Sequence, residues 1–173
     1  MFWLLAPPEV AKTWKSREYD MPTRFIELAG EINLAMPRYV IGRLEAALDR
    51  RLSKSLGSAR ILIVGLSYKP NIADVRESPT LKLMALLEER GASVAFHDPH
   101  VGAIPPTREH AAFAGRRSAP LALETLRTHD AVLIATDHDD IDYALIAREA
   151  TLIVDTRNAF GRRGLVGEQI VKA

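Results

Sequence analysis

Residues Ala59 to Pro99 read ARILIVGLSYKPNIADVRESPTLKLMALLEERGASVAFHDP, and this stretch decides the fold. Ala59–Val64 is an apolar run of strand length, too short for a helix. A loop follows at Gly65–Asn71. Ser78-Pro79 then supplies an N-cap and a proline at the first helical position, where its missing N–H would be unpaired anyway and its φ is preset. The helical spacing continues to Arg90, and Gly91 offers the left-handed stop. Ser93–His97 forms a second short strand. Strand, helix and strand in this order make one βαβ unit, whose strands lie parallel in a shared sheet.

The same rhythm continues downstream. Gly102–Pro120, rich in proline, glycine and arginine, is predicted mostly irregular. A short helix is expected at Leu121–Arg127, a third strand at Asp130–Ala135, a helix at Ile141–Glu149, a fourth strand at Thr151–Val154 and a charged loop over Asp155–Gly164. Near-continuous apolar strands alternating with helices predict an α/β fold, an open, doubly wound parallel sheet covered on both faces. The right-handed crossover rule favours strand order 2-1-3-4, with the switch point between the first and third strands. Upstream, Phe25, Leu28, Ile32, Met36, Tyr39, Leu44 and Leu48 recur at helical spacing. They predict a long helix over Thr23–Leu52, capped by Thr23, with Gly57 just past its end. Pro37 predicts a kink or a break within it. The expected organisation is an irregular start over 1–12, a connecting and dimerisation helix region over 13–57, and an α/β domain over 58–173.

A chain of 173 residues, 47% hydrophobic and 26% charged, can bury a core without staples and is not of disordered composition. Its net charge of +1 gives no electrostatic reason to expect nucleic acid as a partner. There are no cysteines, so structural disulfides and cysteine chemistry are excluded within the chain. The apolar run Phe2–Ala6 is too short to span a bilayer and follows no basic residue. The expectation is a soluble, cytoplasmic protein with no membrane partner.

Ligands of such sheets bind beyond the carboxyl ends of the strands. That geometry selects Gly65–Arg76, His97–His100, Thr136–Asp140 and Asp155–Phe160. A dinucleotide fingerprint needs G-x-G-x-x-G, so that backbone can approach the pyrophosphate. Here Gly65 is followed by Leu66-Ser67-Tyr68-Lys69-Pro70, with one glycine and then a bulky tyrosine and a proline. The stretch before the Ser78-Pro79 helix start is also too long for a phosphate-binding turn. A dinucleotide bound in the standard way is not expected. Lys69 reads as a point charge for a phosphate or as a solvated loop lysine. Asp74, Arg76 and Glu77 read as a local ion-pair set, and Asp98-Pro99 as a turn. Asp137-His138-Asp139-Asp140 reads as N-capping by Asp139 or Asp140 rather than a metal site, since consecutive side chains point apart. Arg157 stands where a bidentate anion clamp would be useful, with a solvated arginine as the plain alternative.

Gly65-Leu66-Ser67-Tyr68-Lys69-Pro70-Asn71-Ile72-Ala73-Asp74-Val75-Arg76-Glu77-Ser78-Pro79 closely resembles the signature of the C-terminal domain of the UDP-glucose/GDP-mannose dehydrogenase family. The likeness continues through His97-Asp98-Pro99, Thr136-Asp137-His138 and Val154-Asp155-Thr156-Arg157-Asn158. Thr13-Trp14-Lys15 and Thr23–Asn33 resemble the helix that joins the two halves of these enzymes. The wording is most similar to the UDP-N-acetylglucosamine 6-dehydrogenase branch. The resemblance implies a Rossmann-like UDP-binding domain. It further implies two NAD-dependent oxidations of the sugar C6 alcohol to a carboxylate, through a cysteine thioester, for polysaccharide biosynthesis. By position, Tyr68, Lys69 and Arg157 are implied contacts of the UDP-sugar, and Arg76 is implied to reach NAD held by the family's N-terminal domain. The long helix is implied to form a homodimer core.

The family's cysteine, followed four residues later by an aspartate, matches nothing in Met1–Val10, and no G-x-G-x-x-G domain precedes Trp14. The expectation is therefore a UDP-sugar-binding part with no catalytic or metal-ligating residue of its own. It would be active only when paired with a separate NAD-binding half. The alternative is a non-catalytic nucleotide-sugar-binding and dimerisation module that modulates full-length relatives. A weaker alternative is an unrelated regulatory α/β domain with Asp98 or Asp137 as its switch.

Overall fold

The computed structural model describes residues 24–173. The expected Thr23 cap, the irregular start and the Thr13–Lys15 motif lie outside the described residues. Helix α1 spans Arg24–Leu52. Five strands follow, β1 (Arg60–Val64), β2 (Ser93–His97), β3 (Ala131–Ile134), β4 (Ile153–Asp155) and β5 (Ile170–Lys172). Between them lie α2 (Pro79–Glu89), α3 (Leu123–Thr128), α4 (Tyr143–Glu149) and α5 (Ala159–Arg162). All strand pairs are parallel, in the order β2-β1-β3-β4-β5. The predicted order 2-1-3-4 is found, extended by one strand. β5 adds an edge in register with β4, Ile153 opposite Ile170 and Asp155 opposite Lys172.

Strand periodicity divides the core. Ile61 and Ile63 of β1 face one side, among Leu44 and Leu48 of α1 and Leu81, Met84 and Leu87 of α2. Leu62 and Val64 face the other, among Leu126, Ile141, Ile146 and Phe160. Successive strand residues point to opposite faces, so a strand apolar at every position needs helices on both sides. Each fully buried Leu, Ile or Phe contributes roughly 1.5–3 kcal/mol relative to exposure.

The chain divides into two compact units at Pro37, and Arg38–Ala173 is the unit that holds the sheet. Within it the second half of α1 packs Val40, Ile41, Leu44 and Leu48 into the core. Arg43 donates to the Lys172 carbonyl at 2.7 Å and Arg90 to Glu45 at 2.9 Å, tying α1 to β5 and α2. In the other unit, Leu28, Ile32, Leu34 and Met36 are exposed.

Helical structure runs unbroken through Pro37, so the predicted break does not occur. The helix ends at Leu52 as predicted, but the residue that stops it is Ser53 rather than Gly57. Ser53 takes a left-handed φ of 49° and its N–H donates to the Asp49 carbonyl at 3.0 Å. The Ser78 cap on Thr80 N–H and the Gly91 stop, with φ of 89°, are found as predicted. Among the described residues no helix is long and apolar enough to cross a membrane.

Candidate functional site

The carboxyl ends of β1, β3 and β4 present three loops side by side, and β1 sets the geometry. Gly65, immediately after it, has a φ of 87°, and a Cβ there would stand 2.2 Å from the Thr136 carbonyl oxygen. The single glycine is thus required for the approach of the β1 and β3 ends, not to admit a pyrophosphate.

The next two amides are already engaged. Leu66 N–H and Ser67 N–H donate to Asp98 Oδ2 at 2.7 and 2.9 Å, and the Ser67 hydroxyl donates to the same oxygen at 2.9 Å. His138 Nε2 approaches it at 3.1 Å. The other oxygen, Oδ1, accepts from His100 N–H at 2.8 Å and Val101 N–H at 3.0 Å. The sequence-predicted turn at Asp98-Pro99 is therefore present, but it is half of what this side chain does. Burial alone would raise the Asp98 carboxyl; the His138 N–H and the amides of Ser67, His100 and Leu66 outweigh it and hold the group well below the usual carboxylate range.

The β1 loop is strung between fixed points. The Thr136 hydroxyl donates to the Ser67 carbonyl at 2.7 Å, and the Ser78 hydroxyl to the Leu66 carbonyl at 2.7 Å. Tyr68 N–H donates to the Asp74 carbonyl at 2.8 Å, closing the loop at its base. Asn71, left-handed with φ of 60°, donates its N–H to His138 Nδ1 at 2.9 Å. Its amide side chain exchanges bonds of 2.7 and 2.9 Å with Asp139. The predicted capping by Asp139 or Asp140 is not found. Asp142 caps α4 instead, accepting from Leu145 N–H at 2.8 Å, because the helix begins at Tyr143, beyond the reach of Asp139 and Asp140 as caps.

Between these anchors Tyr68 and Lys69 are exposed, with Lys69 Nζ 5.6 Å from the Tyr68 ring centroid. Arg157, beyond β4, donates through Nε to the Ala135 carbonyl at 2.6 Å, and its N–H donates to Asp155 Oδ1 at 2.9 Å. Arg157 is exposed, so its terminal guanidinium nitrogens are open to solvent or a ligand. Arg76 grips Asp74 with two side-chain bonds of 3.0 and 2.9 Å, as the ion-pair reading expected. The Arg76 guanidinium pulls the Asp74 carboxyl down to about 2. Tyr68 and Lys69 are thus brought together. No contact joins them to Arg157 or Arg76 among the described residues. The same residues contain no group of three His, Asp or Glu that could hold a metal ion.

Residues 62–162, which include every one of these loops, match the model of the UDP-glucose/GDP-mannose dehydrogenase family, UDP binding domain. The chain belongs to this family. It is 31% identical to UDP-N-acetyl-D-mannosamine dehydrogenase of Methanococcus maripaludis, over 84% of this chain and 33% of that protein. It is 29% identical to the UDP-glucose 6-dehydrogenase of Haloferax volcanii, over 90% and 35%. The fold is similar to that of a UDP-glucose dehydrogenase from Pyrobaculum islandicum, with a TM-score of 0.67 and 26% identity over 94% of this chain and 35% of that one. The chain spans about a third of the length of the curated relatives it matches.

Two features of this UDP-binding domain escaped the sequence reading. One is the Asp98–His138 centre, whose partners are backbone amides brought together only by the fold. The other surrounds Asp137, which pairs with Arg162 and, at 3.0 Å, with Arg163. Arg163 also lies 4.0 Å above the Tyr143 ring. Burial raises the Asp137 carboxyl, but Tyr143 and the two arginines lower it more. The predicted charged loop over Asp155–Gly164 therefore contains helix α5, whose turn aims Arg162 and Arg163 at Asp137. Arginines spaced this closely after β4 were the available signal.

Proposed function

We propose that this chain is the nucleotide-sugar-holding part of an NAD-dependent nucleotide-sugar 6-dehydrogenase acting on a UDP-sugar of the N-acetylhexosamine type. Lys69 and Arg157 are the cations for the diphosphate, and Tyr68 packs against the nucleotide. The observation that carries this reading is the division of labour after β1: the Leu66 and Ser67 amides are consumed by Asp98, while Tyr68 and Lys69 stand exposed on a pinned loop. A diphosphate sugar carries negative charge that lysine and a forked guanidinium bind well.

NAD does not fit the crevice of this domain. Its pyrophosphate would need the Leu66 and Ser67 amides, which Asp98 already holds. This chain's share is to bind and orient the nucleotide sugar, and Arg76, its side chain 85% exposed, is the residue proposed to face NAD held by another part of the enzyme. Exposed Leu28, Ile32, Leu34 and Met36, and separately Tyr39, support α1 as a surface for pairing with a second copy or with the NAD-binding half.

Calorimetric titration with UDP-N-acetylglucosamine and UDP-glucose, with GDP-mannose as the contrast, tests the binding role. Saturable heat with the UDP-sugars is expected, and none at millimolar ligand would overturn the reading. Mixing the chain with a separately expressed NAD-binding half and following NADH absorbance tests its place in the oxidation.

A further inference from the structure

His138 is a fully buried side chain that no contact places at the exposed rim of the crest. Its Nδ1 accepts the Asn71 N–H at 2.9 Å, and its Nε2 lies 3.1 Å from Asp98 Oδ2. An N–H can be accepted only by an unprotonated ring nitrogen, and an ionised carboxylate can only accept. The two bonds together therefore fix the neutral tautomer with its proton on Nε2. We propose that His138 is the positioning residue of the nucleotide-sugar loop: in this neutral tautomer it holds Asn71 and so sets Tyr68 and Lys69, and uptake of a second proton releases them. The inference rests on the UDP-sugar reading of that loop.

The geometry supports the direction of the effect. A proton on Nδ1 would point at the Asn71 N–H, donor against donor, on a ring that is itself fully buried. Asn71 would be forced out, drawing on its paired bonds to Asp139 and on Lys69 two residues away. The groups facing His138 are few. From the loop after β2 come Asp98 and His100, whose ring centroid is 4.9 Å from that of His138. From the β1 loop comes the Asn71 amide. The carboxylates of its own loop are engaged elsewhere: Asp137 with Arg162 and Arg163, Asp139 with Asn71, and Asp140 at 3.6 Å from His100. Asp98, ionised throughout, favours the charged ring, while burial and the Asn71 N–H, which needs an acceptor at Nδ1, favour the neutral one.

The test measures UDP-glucose affinity of the full chain by calorimetry at about pH 8 and about pH 5.5. UDP-glucose is used because a terminal phosphate titrates at about 6, whereas its sugar-capped diphosphate lacks that proton. Lysine and arginine keep their charge across this window. Wild-type affinity is expected to fall roughly tenfold with the pH, the equivalent of one lost buried hydrogen bond and its strain. His138→Asn places an amide oxygen near the position of Nδ1, and is expected to bind with a flat pH profile. His138→Gln donates to Asp98 but offers Asn71 no acceptor, and is expected to bind weakly at both. Histidine nitrogen shifts and Asn71 amide exchange, read on wild-type chain without ligand, cover the case of variants that fail to fold. Protection of the Asn71 amide, its exchange rate taken relative to the intrinsic rate at each pH, should fall as the ring takes up its proton. UDP-glucose binding with Asn71 protection the same at both pH values, or full affinity in His138→Gln, overturns the His138 inference alone. Absence of UDP-glucose heat at either pH overturns the nucleotide-sugar reading and His138's part in it together.

Discussion

Gly65 and Thr136 are in backbone contact across the ends of β1 and β3, close enough that a Cβ on residue 65 would also stand 2.7 Å from the Thr136 nitrogen. Both atoms belong to fixed main chain, so no rotamer relieves the clash. The positive φ at Gly65 adds its own penalty for any other residue.

Gly65→Ala is accordingly expected to destabilise the domain by roughly 3 kcal/mol or more, combining overpacking with left-handed strain. Urea unfolding followed by circular dichroism measures it. A midpoint equal to that of wild type would contradict the packing role.

Lys69→Ala leaves the core untouched, because Lys69 is exposed and its side chain reaches only the Tyr68 ring. UDP-sugar affinity is expected to drop roughly ten- to hundredfold, the range for a charge-assisted contact, with the unfolding midpoint unchanged. Arg157→Lys should weaken binding too, since lysine has no Nε to hold the Ala135 carbonyl while presenting a fork to the ligand. Calorimetry on the two variants tests both statements.

Asp98→Asn replaces an acceptor of six donors by a group that must turn an NH₂ towards some of them. A loss of roughly 3–5 kcal/mol is expected, as for breaking a buried charged pair. The native carboxyl lies below its ordinary value. Its stabilisation is therefore complete above the ordinary carboxylate range and is lost only as pH falls through the native value. Unfolding free energies of wild type and Asp98→Asn should converge in strong acid and differ most near neutrality.

The Asp74–Arg76 clasp gives a local titration. Its carboxyl is lowered from 3.8 to about 2 by Arg76, so the clasp is intact above about pH 4 and opens between there and about pH 2. Both groups are at the surface, so little global stability follows. Carboxyl carbon shifts should give a midpoint near 2 for Asp74, returning to the ordinary range in Arg76→Ala.

The fold was legible because the buried strands are apolar at every position and because Ser78, Pro79 and Gly91 mark the ends of α2 in chemical terms. Tyr68, Lys69, Arg76 and Arg157 were visible as candidates because the carboxyl ends of parallel strands are where ligands sit, and because their motif resembles a known one. β5 was not legible: Ile170–Lys172 is three residues long and is defined by its pairing with β4. The Asp98 centre escaped for a related reason. Its partners are main-chain amides of Leu66, Ser67, His100 and Val101, whose identity as letters says nothing about where their N–H groups point. Asp142, not Asp139 or Asp140, is the cap because the helix begins at Tyr143, and a run of acidic letters does not show which of them stands next to the first turn.

The Asp98 carboxylate has a consequence for how such a domain can change. It occupies the amides a dinucleotide fold offers to a phosphate, so the domain carries its own internal substitute for that anion. Removing the aspartate alone leaves buried N–H groups unpaired, and adding glycines alone loosens a loop still capped by a carboxylate. A route from this sequence to a dinucleotide binder must therefore cross unstable intermediates or change several positions at once. The fold common to both nucleotide classes is kept, while the passage between them is closed to single substitutions.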